Sequence, residues 1–441
     1  MYRIILIDYL ATLAVFVLAA NNGLTAQPQA LPLGQCVETA LLNNKSLQVG
    51  RNNQALAQLK QQEAKSNLLP RATMAADYKF YANLPYQLLP LSAFNGPEGQ
   101  FKETQFGVPH NLGANVQLAM PLYNPQIRGG ITAAEIAGEL SALQVEKSEE
   151  QVIFEVTNLY YNAQVLQHQL LFMDSNLVNT GRLLATLQLL RSQGLAKGTD
   201  LGKVELQQAQ LQTQRTQLEG KLAQVLNGLR FFMGIDMGTP LAVAMDISQG
   251  ENINYNAAPS VDARIVQTQN QLLANELNTL EKSRLPTVSA FASFGVTGYG
   301  YTGQPDPFLK VFPIGLVGVQ AAYPLWNPVT RRQIAHKEAE LLGNQLQAAN
   351  VQAQNDLALA NAVLQKTAAA ASLPASKQQI EWADSVYRQT LLQQRQGTAT
   401  LTDTLLADNA LREAQQQYLN LLVDLLKADL ELKKASGHIK N

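Results

Sequence analysis

The chain has 441 residues, of which 15% are charged, and a formal net charge of −1. Acidic and basic residues are interspersed and nearly balanced, which leaves no electrostatic reason to propose nucleic acid as a partner. Cys36 is the single cysteine, so no internal disulfide can form.

Met1 to Ala26 holds one basic residue, Arg3, an apolar run from Leu10 to Ala20, and small residues up to Leu24-Thr25-Ala26. This reads as a secretory signal cleaved near Ala26 rather than an uncleaved anchor, although Asp8 precedes the run and its basic start is weak. No other stretch approaches the roughly 18 apolar residues of a membrane helix. Cys36, with Gln35 beside it and the apolar run well behind, is expected to be a buried helix thiol rather than a lipid anchor.

From Gly34 to Asn67 the sequence favours a helix, with Val37, Leu41, Leu47, Leu56 and Leu59 as its apolar residues and Pro70 as its stop. The period then becomes two: Ala72, Met74, Ala76, Tyr78 and Phe80 alternate with polar residues, predicting a strand with one apolar face. Residues 83–109, rich in proline and glycine, read as a loop. A second strand follows through Ala114, Val116, Leu118 and Met120. Tyr123-Asn124-Pro125 then places a helix cap before a proline at the first helical position, where a missing N–H costs nothing. Helix-favouring sequence runs on to about Ser192, roughly 100 Å at 1.5 Å per residue. Gly194 to Gly198 breaks it, and Thr199 to Met233 returns with Val204, Leu211, Leu218 and Val225 seven apart, the spacing of coiled-coil packing.

After an irregular connector, Ile235 to Ala258, the design is repeated. Gln117-Leu118-Ala119-Met120-Pro121-Leu122-Tyr123-Asn124-Pro125 returns as Gln320-Ala321-Ala322-Tyr323-Pro324-Leu325-Trp326-Asn327-Pro328, 203 positions on (320 − 117). The second copy predicts a helix from Val261 to Ser283 and a strand through Val288, Ala290, Ala292 and Phe294. A loop with Gly300, Gly303, Pro305, Pro307 and Pro313 follows, then a strand through Val317, Val319, Ala321 and Tyr323. Helices are expected from Pro328 to Gln394, kinked or broken at Pro374, and from Thr402 to Ala435. The expected organisation is a signal peptide (1–26), a first repeat (27–234), a connector (235–258), a second repeat (259–437) and a short tail (438–441). In each repeat the two shorter helices are expected to stack end to end beside the long one.

Four strands with one lipid-compatible face are too few to close a barrel, and an open sheet in hydrocarbon would leave unpaired edge groups, so closure must come from other subunits. Aromatic residues fit membrane-interface girdles: Tyr123, Tyr323 and Trp326 at the helix side, and Tyr81, Tyr86, Tyr299 and Tyr301 at the loop side. The long helices, with narrow apolar seams and glutamine elsewhere, suit walls wetted on both faces.

The opening Leu33-Gly34-Gln35-Cys36-Val37-Glu38-Thr39-Ala40-Leu41-Leu42-Asn43-Asn44, the helix-to-strand Leu69-Pro70, the doubled Pro-Leu-aromatic-Asn-Pro, and the segments Gly194 to Leu201 and Gly397 to Thr404 carry a resemblance. In this order the chain, over about Leu33 to Gly437, resembles the TolC-like outer-membrane factor family. The resemblance implies a mainly α fold with a β-barrel portion: a homotrimer sharing a twelve-stranded barrel in the outer membrane of a Gram-negative bacterium, and an α-helical barrel in the periplasm. It implies a passive exit duct for efflux, multidrug efflux included, or for type I secretion, without cofactor. The duct docks to a periplasmic adaptor (a membrane fusion protein) that is tied to an inner-membrane transporter. Docking is expected at the tips, Gly194, Leu195, Thr199, Gly397, Thr398 and Thr402. Asp200, Asp403 and Leu406 are expected at the periplasmic aperture. Tyr123, Asn124, Pro125, Trp326, Asn327 and Pro328 would mark the membrane-interface junction. Rings of Asp200 and Asp403 would favour cations. Either aspartate alone also reads as a helix N-terminal carboxylate. The chain departs from the family pattern at Leu406, where some members carry a second carboxylate, and at Ala399, where some carry a basic residue.

An enzyme is the first rival. Its four histidines, His110, His168, His336 and His438, are scattered, with no metal-binding, phosphate-binding or nucleophile motif. A secreted periplasmic coiled-coil adaptor or scaffold is the second, and it leaves the alternating strands unexplained.

Overall fold

The computed structural model describes residues 30–247 and 259–440. The expected signal segment and residues 248–258 of the connector lie outside them. In chain order the elements are β1 (Ala30–Leu31), α1 (Leu33–Asn43), α2 (Lys45–Ser66), β2 (Arg71–Phe80), β3 (Tyr86–Pro90), a short 3-10 turn (Leu91–Phe94), β4 (Phe101–Gln105) and β5 (His110–Tyr123). There follow α3 (Pro125–Ser192), α4 (Gly198–Met233), β6 (Ala242–Val243), α5 (Val261–Lys282), β7 (Thr287–Tyr301), β8 (Phe308–Ala322), α6 (Pro328–Arg395) and α7 (Leu401–Ala435). The long helices α3 and α6 have 68 residues each. Two compact units emerge, one of Gly50–Val145 with Asp262–Val351, the other of the remaining described residues.

The first unit holds an antiparallel sheet of order β2-β5-β7-β8. Pairing of β5 with β7, from His110↔Gly300 to Tyr123↔Val288, joins the two sequence copies. One face is apolar on every strand: Met74↔Val116, Val116↔Phe294 and Ala292↔Val317 are typical neighbours, and Met74, Phe294 and Val317 are exposed. The opposite face carries Thr73, Asp77 and Lys79 on β2, Asn115 and Gln117 on β5, and Ser293 and Thr297 on β7. β2 and β8 are the sheet's edges.

Three sequence expectations are corrected in this unit. Residues 83–109 are not simply loop, since β3 and β4 pair there from Tyr86↔Gln105 to Pro90↔Phe101, which places the loop-side Tyr86 on that hairpin. β7 and β8 extend through much of the expected loop, to Tyr301 and from Phe308. Pro313 lies inside β8, opposite Val296, on a strand with a single partner in its own chain. Helix packing here is close: a Cβ on Gly129 of α3 would lie 2.0 Å from Thr279 Oγ1 of α5. Asn275 Nδ2 donates to the Gly129 carbonyl at 3.0 Å, and Lys337 of α6 pairs with Glu276 of α5 at 2.8 Å.

The second unit is held by apolar seams. Cys36, Ala40 and Leu47 meet Val152, Val156, Tyr160 and Ala163 of α3 and Leu229 and Met233 of α4. Cys36 is fully buried, and burial pushes its thiol up to about 11. Val204 and Leu211 of the expected heptad series are fully buried, whereas Leu218 and Val225 are half-buried as the seam passes to Leu222 and Leu229. The connector packs on α3. Tyr160 Oη donates to the Leu31 carbonyl at 2.9 Å, and Gln164 Nε2 donates to the Ala244 and Asp246 carbonyls at 2.7 and 2.9 Å. β1 and β6 form a two-residue parallel pair beside them.

Two further corrections belong to helices. The helix expected over 34–67 is two helices, divided at Asn44. Its Oδ1 accepts from the N–H groups of Ser46 and Leu47, capping α2, while its Nδ2 donates to the Phe232 carbonyl at 2.8 Å. Of the kink or break that Pro374 predicts, the break does not occur, since Pro374 sits inside the continuous α6. Adjacent Leu373 is buried in a seam with Leu419, Leu422 and Leu426 of α7, and that packing offsets the one missing hydrogen bond.

Each hairpin's returning helix ends in the same device. Gly234 (φ +66°) and Gly437 (φ +74°) sit in the left-handed region, with paired bonds Gly234→Phe231 and Ile235→Arg230, and Gly437→Lys434 and His438→Lys433. A Cβ on Gly234 would also lie 2.4 Å from the Asn43 carbonyl oxygen. Gly234→Ala is therefore expected to cost more than the roughly 1–3 kcal/mol of backbone strain alone. Gly220→Ala, in a helix interior with open space around it, is expected to stabilise by up to about 1 kcal/mol. Thermal unfolding of the two variants in detergent checks the contrast in sign.

Candidate functional site

The expected tip residues of both hairpins lie in one unit, and the structure brings them together. Leu183, Leu187, Leu201 and Val204 of the first hairpin share an apolar cluster with Leu401 of the second, flanked by Ala196, Leu391 and Leu405. Around this cluster the reversals are built alike. Gly194 (φ +74°) follows α3, with Gly194 N–H donating to Arg191 at 3.0 Å and Leu195 N–H to Leu190 at 2.9 Å. Gly397 (φ +75°) follows α6, with Gly397 N–H donating to Gln394 at 3.1 Å and Thr398 N–H to Gln393 at 3.0 Å. These paired bonds satisfy the last carbonyls of each long helix and demand a left-handed residue. A Cβ at either glycine would meet nothing within 4 Å, so each presents bare backbone to its surroundings.

Leu195, at 73% exposure, projects beside Gly194, and Thr199, Thr398 and Thr402 are exposed. Leu406 is 62% exposed although it stands one turn from the apolar cluster. These side chains are exposed around an apolar cluster that joins the two hairpins through Leu201 and Leu401.

The two aspartates differ. At the start of α7, Thr400 Oγ1 accepts from Asp403 N–H at 3.2 Å, while Asp403 Oδ2 accepts from Thr400 N–H at 2.9 Å and from Thr400 Oγ1 at 2.6 Å, a complete capping box. Those hydrogen bonds from Thr400 hold the Asp403 carboxyl below its ordinary range. At the corresponding start of α4 the cap position is Lys197, whose side chain makes no capping bond, and Asp200 stands in the first turn without a box.

Two turns above the tips lies a polar cluster the sequence reading missed. Asp408 of α7 is buried; its Oδ2 accepts from Gln207 Nε2 of α4 at 2.5 Å and pairs with Arg412 Nη2 at 3.0 Å, while Oδ1 has no partner. Burial raises the Asp408 carboxyl, against the opposing pull of Arg412 and Gln207, and burial with Asp408's charge pushes the nearby Tyr387 hydroxyl up to about 12. Leu401, Thr404, Asp408 and Leu411 are spaced as a helix seam and all are buried, so a carboxylate at a seam position was the available signal. Asn176 Nδ2 of α3 donates to Gln415 Oε1 of α7 at 3.2 Å, another polar tie between the hairpins.

In the other unit, the junction residues behave as their chemistry dictates. Asn124 Oδ1 accepts from the N–H groups of Gln126 and Ile127 at 3.0 and 3.4 Å, and Asn327 Oδ1 from Val329 and Thr330 at 3.1 and 3.3 Å. Pro125 and Pro328 open the helices they cap. The Arg128 guanidinium lies 5.7 Å from the centre of the Tyr123 ring, and Trp326 is 85% exposed. Among the described residues no helix is long and apolar enough to cross a membrane, and no group of three His, Cys, Asp or Glu is placed to hold a metal.

Comparison with known proteins adds sequence and fold relationships. Residues 36–235 match the family model described as outer membrane efflux protein. The chain is 21% identical over 434 residues to the outer membrane protein TolC of Salmonella enteritidis, covering 94% of this chain and 84% of that one. The outer membrane protein VceC of Vibrio cholerae has a similar structure, with a TM-score of 0.77 at 16% identity over 92% of this chain and 96% of VceC. The CmeC outer membrane channel of Campylobacter jejuni gives 0.76 at 12% identity, over 92% and 85%. At these identities the structural likenesses establish the fold.

The capping geometry sets a pH dependence. A depressed carboxyl contributes stability above the ordinary aspartate range and loses it as pH falls through the lowered value. Thr400→Ala is therefore expected to destabilise by about 1 kcal/mol at neutral pH, with the difference from the unmodified protein shrinking in acid. Unfolding followed between neutral pH and pH 3 checks it, and a pH-independent gap would remove the Asp403 charge from the cap.

Proposed function

We propose that this chain, a TolC-like outer-membrane factor, is the passive exit duct of a tripartite efflux or type I secretion system. Three copies close a twelve-stranded barrel in the outer membrane. Their helices continue as a periplasmic tube whose tips dock a periplasmic adaptor and, through it, an inner-membrane transporter. The duct supplies a path, and the energy comes from the transporter.

One observation carries the reading: a four-stranded antiparallel sheet with one exposed apolar face and unpaired backbone at both edges, β2 and β8. Exposed apolar area of this kind calls for lipid, and lipid tolerates no open edge, so copies must pair edge to edge. The junction at Tyr123-Asn124-Pro125 and Trp326-Asn327-Pro328 marks the interface where strands in lipid give way to helices in water. The organisation into a signal segment (1–26), two repeats and a connector belongs to the same proposal.

At the periplasmic end, Gly194 and Gly397 offer backbone without side chains for close approach of the adaptor, with Leu195, Thr199, Thr398 and Thr402 beside them. Asp200, Asp403 and Leu406 ring the narrow mouth, two carboxylates favouring cations and a leucine narrowing the bore. Because Leu406 and Ala399 stand where an ionic latch would need charge, closure at this mouth is apolar in part.

The native mass of protein extracted in detergent from outer membranes tests the proposal, and a species of three chains is expected. A water-soluble monomer would overturn it in favour of a periplasmic scaffold. The docking assignment has its own test. Gly194→Asp and Gly397→Asp place a Cβ in open space and confine the strain of a left-handed aspartate to the reversal itself, so each should leave three-chain assemblies in the membrane while export falls. Undiminished export in both would remove the tips from docking.

A further inference from the structure

We propose that the β3–β4 hairpin of one protomer packs its apolar face on the inner, non-lipid face of β8 in the neighbouring protomer, narrowing the outer end of the barrel. The inference rests on the edge-to-edge barrel described above and names a contact that barrel closure alone does not require.

It starts from an anomaly in the sheet. Strand side chains alternate between faces, so the face opposite the lipid side should be polar throughout. On β2 and β5 it is mainly polar, with Thr73, Asp77, Lys79, Asn111, Asn115 and Gln117 and only the small Ala75, Gly113 and Ala119 besides, while on β7 Tyr299 and Tyr301 stand next to Phe312 and Phe308 of β8. On β8 the same face presents Phe308, Phe312, Ile314 and Leu316, of which Phe312 and Ile314 are about half exposed. Lipid contacts the other face and cannot cover these side chains.

The hairpin presents the complementary surface. In its register Leu88 faces Glu103 and Pro90 faces Phe101, so Tyr86, Leu88, Pro90 and Phe101 share one side, and Tyr86, Leu88 and Phe101 are all well exposed. A two-stranded hairpin is marginal in water unless such a side is packed against something. Charge also matches: Glu103 is the one charged residue on that side of the hairpin, and Lys310 is the one charged residue along β8.

Topology selects whose β8 is covered. The hairpin emerges between β2 and β5, and β2 is the edge opposite β8, about three strand spacings or roughly 14 Å across the sheet. Once edges pair, β8 lies one spacing, roughly 5 Å, from the neighbour's β2 and beneath the neighbour's hairpin. Five residues of strand, about 17 Å, reach from the outer end of β8 toward Phe312 and Ile314.

The test uses Leu88→Cys with Phe312→Cys in the full chain, and Glu103→Cys with Lys310→Cys as a second pair. These positions are exposed, whereas the native Cys36 is fully buried and burial pushes its thiol up to about 11. Protein in outer membranes is treated with a short bismaleimide and run on denaturing gels, with native mass measured in parallel. Covalent dimers and trimers from the double variants, absent from each single variant, are expected. A cross-linked monomer would mean that the hairpin covers its own β8, and three-chain assemblies without cross-links in either pair would mean that it covers neither; each result overturns the proposal while leaving the barrel intact. Absence of three-chain assemblies in the unmodified protein would overturn both.

Discussion

A sheet of four antiparallel strands leaves two rows of backbone N–H and C=O groups without partners, one along β2 and one along β8. In water such edges are tolerated, because solvent takes the place of the missing strand. An apolar outer face changes the balance, since the solvent that would rescue the edge is the solvent that the face excludes. The edge groups and the apolar face cannot both be satisfied in one chain. This single conflict makes the chain incomplete, and the proposed ring of copies resolves it by pairing each β8 with a neighbouring β2.

The helical unit solves a different problem with different means. Helices meant to be wet on more than one side have only narrow seams to hold them, and here the seams are supplemented by polar ties of defined geometry: Gln207 to Asp408, Asn176 to Gln415, and Arg215 to Asp174 at 2.6 Å. Of these, the Arg215–Asp174 pair is partly exposed and solvent can replace it, whereas breaking one side of the buried Gln207–Asp408 or Asn176–Gln415 tie leaves an unsatisfied group, so those two fix register more than they add strength. Asp408 shows the cost directly, because one of its oxygens is buried without a partner.

Much of the architecture was legible because it depends on local chemistry. Asn124 and Asn327 cap helices for reasons contained within four residues, and Gly194 and Gly397, each closing a long helix-favouring run, signal a reversal from within the same few residues. What escaped depended on partners distant in sequence. Asn44 divides α1 from α2 with neither proline nor glycine, and half of its role is a bond to Phe232, 188 residues away. The β3–β4 hairpin hid among prolines and glycines that read as loop. Pro313 read as loop and Pro374 as a kink or break; one lies on a strand with a single partner in its own chain and the other beside a buried seam in an unbroken helix, and neither circumstance can be seen from the proline itself. At the tips, residue types were legible and their engagement was not. Whether Asp403 holds its own helix start depends on Thr400 being the residue three before it.

That dependence separates two carboxylates which the duplicated sequence makes look equivalent. Asp403 has one oxygen committed to Thr400, so its charge is held against the backbone of its own helix. Asp200 follows Lys197 in place of a hydroxyl residue, and the first turn of α4 lacks the reciprocal bonds that fix α7. Side-chain capping of this kind contributes about 1 kcal/mol to a helix end, a contribution that the start of α7 has and the start of α4 lacks. If both carboxylates border the mouth, Asp200 is the one whose side chain can turn toward it without giving up a helix cap. The two hairpins follow one sequence pattern, and a lysine at one cap position where the other has a threonine leaves their helix starts held by different bonds.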